Sequence, residues 1–366
     1  MAERKRRCRS DTGGQRIGRL FSAAAVAGLL LMEAGSATET TGVAVAPESV
    51  GLLPQRTGRR VVPVPQPAAN RAEVPQLPKQ TVTDQPFFLF SSTQFSYTYL
   101  ADTRYPGFPG LRPKTFLPGR SAPANMLSIT HADAWEYGTN FINLDLARSG
   151  SQTPAGSPLP QLANFDYGQT TLLFTYRGTL SGNVFAGAPV FTVPGLIKNM
   201  SLAYGVDHQS DNTLSSLLKT RVVGGVSLAL DVPVGFVNVS LLVQKDWFRF
   251  ADLVPPLRDT TGDTVPRMEV AYHLPLTFTD LPLALSGFFA YALPRGLNPH
   301  GGNMKAEVVS RSDLVLDIGA LADQQPERVK AFIGFLWLQD MNGANPRFTP
   351  GAVTKSFLAG LSFTVF

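Results

Sequence analysis

From Pro86 to its last residue the chain alternates apolar and polar positions in short segments, punctuated by clusters of Gly, Pro, Asn and Asp. A period of two sends successive side chains to opposite faces of a strand, so the pattern predicts β-structure throughout. In "KSFLAGLSFTVF", Phe357, Ala359, Leu361, Phe363 and Val365 share one face, and Ser356, Gly360, Ser362 and Thr364 share the other. "NFINLDL" sets Ile142, Leu144 and Leu146 against Phe141, Asn143 and Asp145, and "TTLLFTYRG" sets Leu172, Phe174 and Tyr176 against Thr171, Thr175 and Arg177. The same division separates Met200, Leu202, Tyr204 and Val206 from Asp207. It separates Val222, Val226, Leu228 and Leu230 from Arg221 and Asp231, and Met268, Val270 and Tyr272 from Arg267, Glu269 and His273. Leu314 and Leu316 likewise oppose Arg311, Asp313 and Asp317.

Twelve strands are predicted, over 89–100, 125–133, 137–147, 168–180, 199–208, 219–232, 236–248, 266–275, 283–293, 311–321, 329–340 and 355–366. Long connections follow the first, third, seventh, ninth and eleventh; short turns follow the second, sixth, eighth and tenth. Residues 181–198 depart from this rhythm, being long where a short turn is expected. A soluble sandwich would turn the apolar rows to a core, whereas a membrane barrel turns them to lipid and keeps the polar rows around a lumen. The even strand count, the alternating connection lengths and the aromatic residues near strand ends favour the barrel. The expected fold is therefore all-β, a closed antiparallel transmembrane β-barrel of about twelve strands, with the last strand zipped to the first because hydrocarbon tolerates no unpaired edge. That strand ends on Phe366, and a C-terminal aromatic is the usual mark for the barrel-assembly machinery, an expected partner. Phe366 itself falls one register away from the apolar row.

Composition sharpens the picture. Of 366 residues only 16% are charged, well under the usual quarter, while Phe, Gly and Pro number 24, 33 and 29, which disfavours a helical protein. The net charge of +5 is unevenly placed: seven of the 32 Lys and Arg fall in residues 1–37, against three of the 27 acids. The body is close to neutral, which argues against a nucleic-acid partner. Residues 1–37 follow the order of an export signal, a basic stretch followed by "LFSAAAVAGLLLM" and the small residues "AGSA". That apolar run falls short of the roughly 20 residues a spanning helix needs. Export through it places the barrel in the outer membrane of a Gram-negative cell. The single cysteine, Cys8, lies in this leader, so no disulfide or thiolate metal site is expected beyond it. Residues 38–85 lack aromatic residues and carry frequent prolines, the composition of a flexible linker, and the barrel occupies 86–366. "GTLSGNVFAGAPVFTVPGLI", 178–197, is uncharged and long enough to span as a helix, but its two prolines and four glycines predict turns instead.

"SITHADAWEYGTNFINLDLARSG" (128–150) and "FSYTYLADTRYPGFPG" (95–110) resemble the nucleoside-specific channel-forming porins of the Tsx family and their OmpK-like relatives. "SLALDVPVGFVNVSLLVQKDW" and "DLVLDIGAL" are similar to later strands of that family. The resemblance implies a monomeric twelve-stranded barrel through which nucleosides or similar small polar solutes diffuse. The linker 38–85 and the long connection 181–198 are departures from the family pattern.

A twelve-stranded lumen should leave a narrow slot. Selecting a nucleoside there would take aromatic surfaces for the base and ionisable groups for the sugar hydroxyls. The polar faces nominate Phe141, Asn143, Asp145, Arg177, Asp207, Arg221, Asp231, Arg267, Glu269, Arg311, Asp313 and Asp317. The plainer reading of these charges is that they pair across strands and stiffen the wall. His131, in "THAD", is assigned to the short second turn. No Gly-x-Ser-x-Gly elbow, His-Glu-x-x-His motif or P-loop is present, so neither an enzyme nor a metal or other cofactor is expected. The alternatives are a closed structural or receptor barrel that binds through its loops and, third, a lipid-modifying barrel enzyme.

Overall fold

The computed structural model describes residues 88–105, 121–150, 168–212, 217–250, 259–297, 303–322, 325–347 and 351–365. The expected leader, 1–37, the expected linker, 38–85, and Phe366 lie outside them. Thirteen strands form one sheet: β1 (Phe88–Thr103), β2 (Ala122–Trp135), β3 (Gly138–Ser149), β4 (Thr170–Ser181), β5 (Ile197–Asp211), β6 (Leu217–Leu230), β7 (Phe236–Phe250), β8 (Thr260–Thr261), β9 (Val265–Pro275), β10 (Leu283–Ala292), β11 (Glu307–Asp317), β12 (Val329–Gln339) and β13 (Thr354–Thr364). Every pairing is antiparallel, and each barrel strand pairs with its sequence neighbours. β1 then pairs with β13, from Gln94 opposite Thr364 to Leu100 opposite Leu358, and the ring is closed. Twelve strands make the ring. β8 is a two-residue addition to β7 opposite Trp247 and Phe248.

The side chains settle which architecture this is. Along one ring of the wall, Leu127 faces Tyr97, Tyr97 faces Leu361, and Leu361 faces Ala331. These point outward, with Leu127 at 59% and Leu361 at 56% exposure, and Phe357 on the same outer face reaches 73%. The alternate positions Thr98, Asn143, Asp145, Arg221 and Asp246 point inward and are buried. A soluble globule shows the opposite polarity. Apolar outside and charged inside is the arrangement of a transmembrane barrel.

The interior is not uniformly polar, and here the sequence reading needs correcting. Leu100, Ala124, Met126, Ala147, Phe332, Leu336 and Leu358 pack together on the inner face of β1, β2, β3, β12 and β13. A second cluster joins Leu217, Phe248, Phe288 and Val309 of the wall to Tyr105, Met304 and Met341 from the connections. These side chains fill the lumen at the end carrying the long connections, hereafter the loop end. They also explain why β11 begins at Glu307, earlier than predicted. Val308 and Val309 are both apolar, one facing outward and one packing into the interior cluster, so the alternation that marks a strand is absent there.

The connection between β4 and β5 contains α1 (Gly182–Ala186), whose first turn is capped by the Ser181 hydroxyl accepting from the Val184 amide. It stops at Gly187, whose φ of 63° is left-handed. A one-turn α2 (Ile318–Leu321) follows β11, capped by Asp317.

Three glycines in the wall each lie under an aromatic ring of the neighbouring strand: Gly178 under Tyr204, Gly287 under Tyr272 and Gly360 under Phe332. A Cβ on Gly178 would sit 2.5 Å from the Tyr204 ring, whereas one on Gly224 meets nothing within 4 Å. Gly178→Val should therefore lower the barrel's stability in detergent by about 1–3 kcal/mol through overpacking. Gly224→Ala should be close to neutral. Urea titration of the refolded protein, followed by its heat-modifiable gel band, measures both.

Candidate functional site

Of the twelve nominated residues, eleven face the interior: Phe141, Asn143, Asp145, Arg177, Asp207, Arg221, Arg267, Glu269, Arg311, Asp313 and Asp317. Asp231 does not. β6 ends at Leu230, so Asp231 sits beyond the wall, exposed, 3.8 Å from the ammonium group of Lys198. Asp317 is on the inner face, but its carboxylate is committed to the amides of Ala320 and Glu327 at the turn end of the barrel.

The charges do more than pair along the wall. Arg177 on β4 holds Asp207 through two bonds, 2.6 and 3.1 Å, and holds Glu269 on β9 through two more, 2.9 and 3.1 Å. β5, β6 and β7 separate β4 from β9 in the wall, so the Arg177–Glu269 pair spans the lumen. Arg267 donates to the same Glu269 carboxylate at 2.6 Å and to Gln244 at 3.1 Å.

A second layer lies closer to the loop end. Arg221 on β6 bonds Asp246 on β7 at 2.9 Å and reaches Glu307 on β11 at 2.7 Å, again across the lumen. Arg295, from the connection after β10, contributes one guanidinium nitrogen to both Asp246 and Glu307. Lys219 stands 3.6 Å from Glu307 and donates to the Asn342 side chain at 2.8 Å, while the Asn342 amide donates to Glu307. The Phe248 ring lies beneath both Lys219 and Arg295. None of the side chains of Lys219, Arg221, Asp246, Arg295 and Glu307 is more than 2% exposed. Charges taken out of water persist only when paired and hydrogen-bonded; every charge of this layer has an opposite partner, although Nε and Nη2 of Arg295 are buried without an acceptor. Nearby, burial pushes the Asp340 carboxyl above its ordinary range, with Lys305 pulling the other way.

Lys219, Gln244, Asp246, Arg295 and Glu307 were absent from the sequence reading. Lys219 and Asp246 carried a usable signal, since both share a face with positions already nominated or paired to them. Glu307 lay outside the predicted strand, and Arg295 belongs to a connection, where alternation says nothing.

Between Arg177–Glu269 and the end carrying the short turns, the turn end, a cavity of about 360 Å³ remains. Thr139, Thr175, Thr179, Ser201, Asn238 and Ser240 contribute hydroxyls and amides, and Phe141 and Phe288 contribute rings. Its closed end is the Arg177–Glu269 pair.

His131 requires a correction. It lies within β2, on the outer face and opposite Thr93, not in the turn. Its Nδ1 is 2.8 Å from the Thr93 hydroxyl and its Nε2 is 3.5 Å from Asp133. Asn140 donates to Asp133, and Tyr176 donates to Asn140, both at 2.9 Å. This bonded string satisfies polar groups that would otherwise meet lipid bare. Among the described residues no group of His, Cys, Asp and Glu has the arrangement of a metal site.

No family model matches the chain, and no curated protein matches it. Among solved structures it is similar to the translocator domain of autotransporter NalP from Neisseria meningitidis, at 11% identity over 75% of this chain and 87% of that one, with a TM-score of 0.36. It is also similar to the beta domain of the Bordetella autotransporter Brka, at 9% identity over 74% and 98% of the two chains, TM-score 0.32. A third is Pseudomonas aeruginosa OccK5 (OpdH), at 8% identity over 77% and 99%, TM-score 0.27. The barrel assignment rests on this chain's own closed ladder.

Removing one member of the loop-end layer unbalances the buried charge around it. Glu307→Ala leaves the cations Lys219, Arg221 and Arg295 with Asp246 as the one carboxylate of the layer, and should cost about 3–5 kcal/mol. Glu307→Gln keeps the shape and part of the hydrogen bonding and should cost less. Urea midpoints of the two refolded variants order them.

Proposed function

We propose that the protein is an outer-membrane channel for small polar solutes, held shut in this conformation by the charges and apolar side chains that cross its lumen. The outward apolar wall supports the membrane placement. The observation that carries the solute reading is the cavity at the turn end, lined by hydroxyls and amides and floored by a guanidinium–carboxylate pair. At about 360 Å³ it falls within the range of small-molecule sites. Its two phenylalanines offer stacking surface, and Arg177 and Glu269 offer a donor and an acceptor for a sugar diol. A nucleoside matches that combination, in keeping with the resemblance of residues 128–150 to nucleoside channels.

The buried layer of Lys219, Arg221, Asp246, Arg295 and Glu307 favours a second reading, a permanently closed barrel whose connections do the binding.

Planar-bilayer recording separates the two. The wild-type protein should rest mostly closed, conducting only when the connection-borne layer at the loop end withdraws, and Arg177→Ala combined with Glu269→Ala should raise the conductance of those openings roughly tenfold by removing the second bar across the lumen. Added nucleoside should reduce that current more than added phosphate. Silence of both proteins, with the variant folded by its gel shift, would sink the channel and sustain the closed barrel.

A further inference from the structure

The long connection between β4 and β5 enters the channel reading only through Val184, which lines the cavity, and the rest of its surface is unusual. Residues 182–197 contain no charged side chain. Phe185 is 63% exposed, Val190 64% and Leu196 58%, and Val184, Phe191 and Val193 are exposed as well. A turn facing open water has no use for six exposed apolar side chains in so short a span.

The connection is nonetheless well ordered internally. The Asn183 side chain donates to the Thr192 hydroxyl at 2.9 Å and accepts from the Phe191 amide at 2.8 Å. Thr192 donates to the Lys198 carbonyl, and Val193 and Ile197 bond each other's backbone. These bonds spend polar groups of the segment locally and leave Phe185, Val190, Phe191, Val193 and Leu196 exposed, while Val184 also lines the cavity. A protein partner would need a polar rim to dock against; a bilayer would not.

The aromatic rings give the direction. Trp135 lies at the turn end of β2, its ring 5.4 Å from that of Tyr137, and Tyr137 stands 5.8 Å from Phe185. The row therefore continues from the wall onto the connection. Trp and Tyr at this level are the residues that settle at a membrane–water boundary. Lys198, half exposed, follows the apolar stretch, where an ammonium group meets headgroup phosphate.

Resting on the membrane placement proposed above, we infer that residues 182–197 lie in the lipid interface at the turn end of the barrel, with Phe185, Val190 and Leu196 immersed at the headgroup–acyl boundary. The ligand of this surface is the phospholipid bilayer itself, bound through apolar area and not through a specific headgroup.

The test uses the full chain carrying Cys8→Ser, so that one introduced cysteine accepts one environment-sensitive NBD fluorophore. Val190→Cys reports on the connection, and Leu361→Cys, on the outer face of β13, reports on the wall. Both proteins are reconstituted into phosphatidylethanolamine–phosphatidylglycerol vesicles containing lipid spin-labelled either near the headgroup or near the chain end. Iodide on both sides of the vesicle probes water access. The Val190 reporter should be quenched about twofold more by the shallow label than by the deep one, and shielded from iodide. Quenching at Leu361 with none at Val190, whether Val190 is reached by iodide or is hidden from both quenchers by protein, would overturn the interfacial connection and leave the membrane barrel intact. Absence of lipid quenching at Leu361 would overturn the membrane placement and this inference with it.

Discussion

The structure depends on one constraint: a wall that faces hydrocarbon must satisfy its backbone entirely from within. The β1–β13 ladder does this, because it removes the two free edges that an open twelve-stranded sheet would present. Once the ring is closed the side-chain faces are fixed, since a slip of one residue in any strand would exchange its whole inner and outer sets. Leu361 and Tyr97 are neighbours on the outer surface for the same reason that Gly360 and Thr98 are neighbours inside. Closure and polarity are therefore one property of the sheet.

Inside, the same constraint creates an electrostatic problem. Twelve strands enclose too little room for each polar side chain to keep its own water, so charges directed inward have to satisfy one another. Arg177 and Arg221 each hold one carboxylate on the adjacent strand, Asp207 and Asp246, and one from across the lumen, Glu269 and Glu307. Arginine suits this task because its planar fork can hold two carboxylates at once, which a lysine ammonium does with less geometric definition. The apolar clusters at the loop end add the dry surroundings in which such pairs are strong and unpaired members costly.

Much of this was legible from alternation alone. The strand count, the closure and the inward direction of eleven nominated residues all follow from a period of two and the intolerance of lipid for open edges. What failed did so where alternation carries no information. Val308 and Val309 broke it because the lumen is apolar at that level, and the start of β11 and Glu307 were missed together. Arg295 and Asn342 reach the charge layer from connections, so only folding brings them near Asp246 and Glu307. Asp231 was misjudged because β6 stops one residue short of it, releasing its side chain to Lys198. His131 reads as a turn residue beside "AD", yet the pairing of Thr93 with His131 carries β2 past it.

The division between wall and connections also limits how the lumen can change. Widening the ring would require breaking a ladder of backbone bonds along the full length of two strands, in a medium that offers no replacement partners. The elements free of that ladder are side chains and connections. Arg295 and Asn342 both belong to connections, and both insert into the layer that seals the loop end, as does Tyr105 after β1, whose hydroxyl bonds Asp211 at 2.6 Å. The seal is thus built from parts that can withdraw without disturbing the barrel, whereas the Arg177–Glu269 bar is carried by the wall itself and can yield only by rotation of the two side chains. In the channel proposed above, a solute entering from the turn end would meet that bar first, and its own donors and acceptors would be the natural replacements for the bonds the pair gives up.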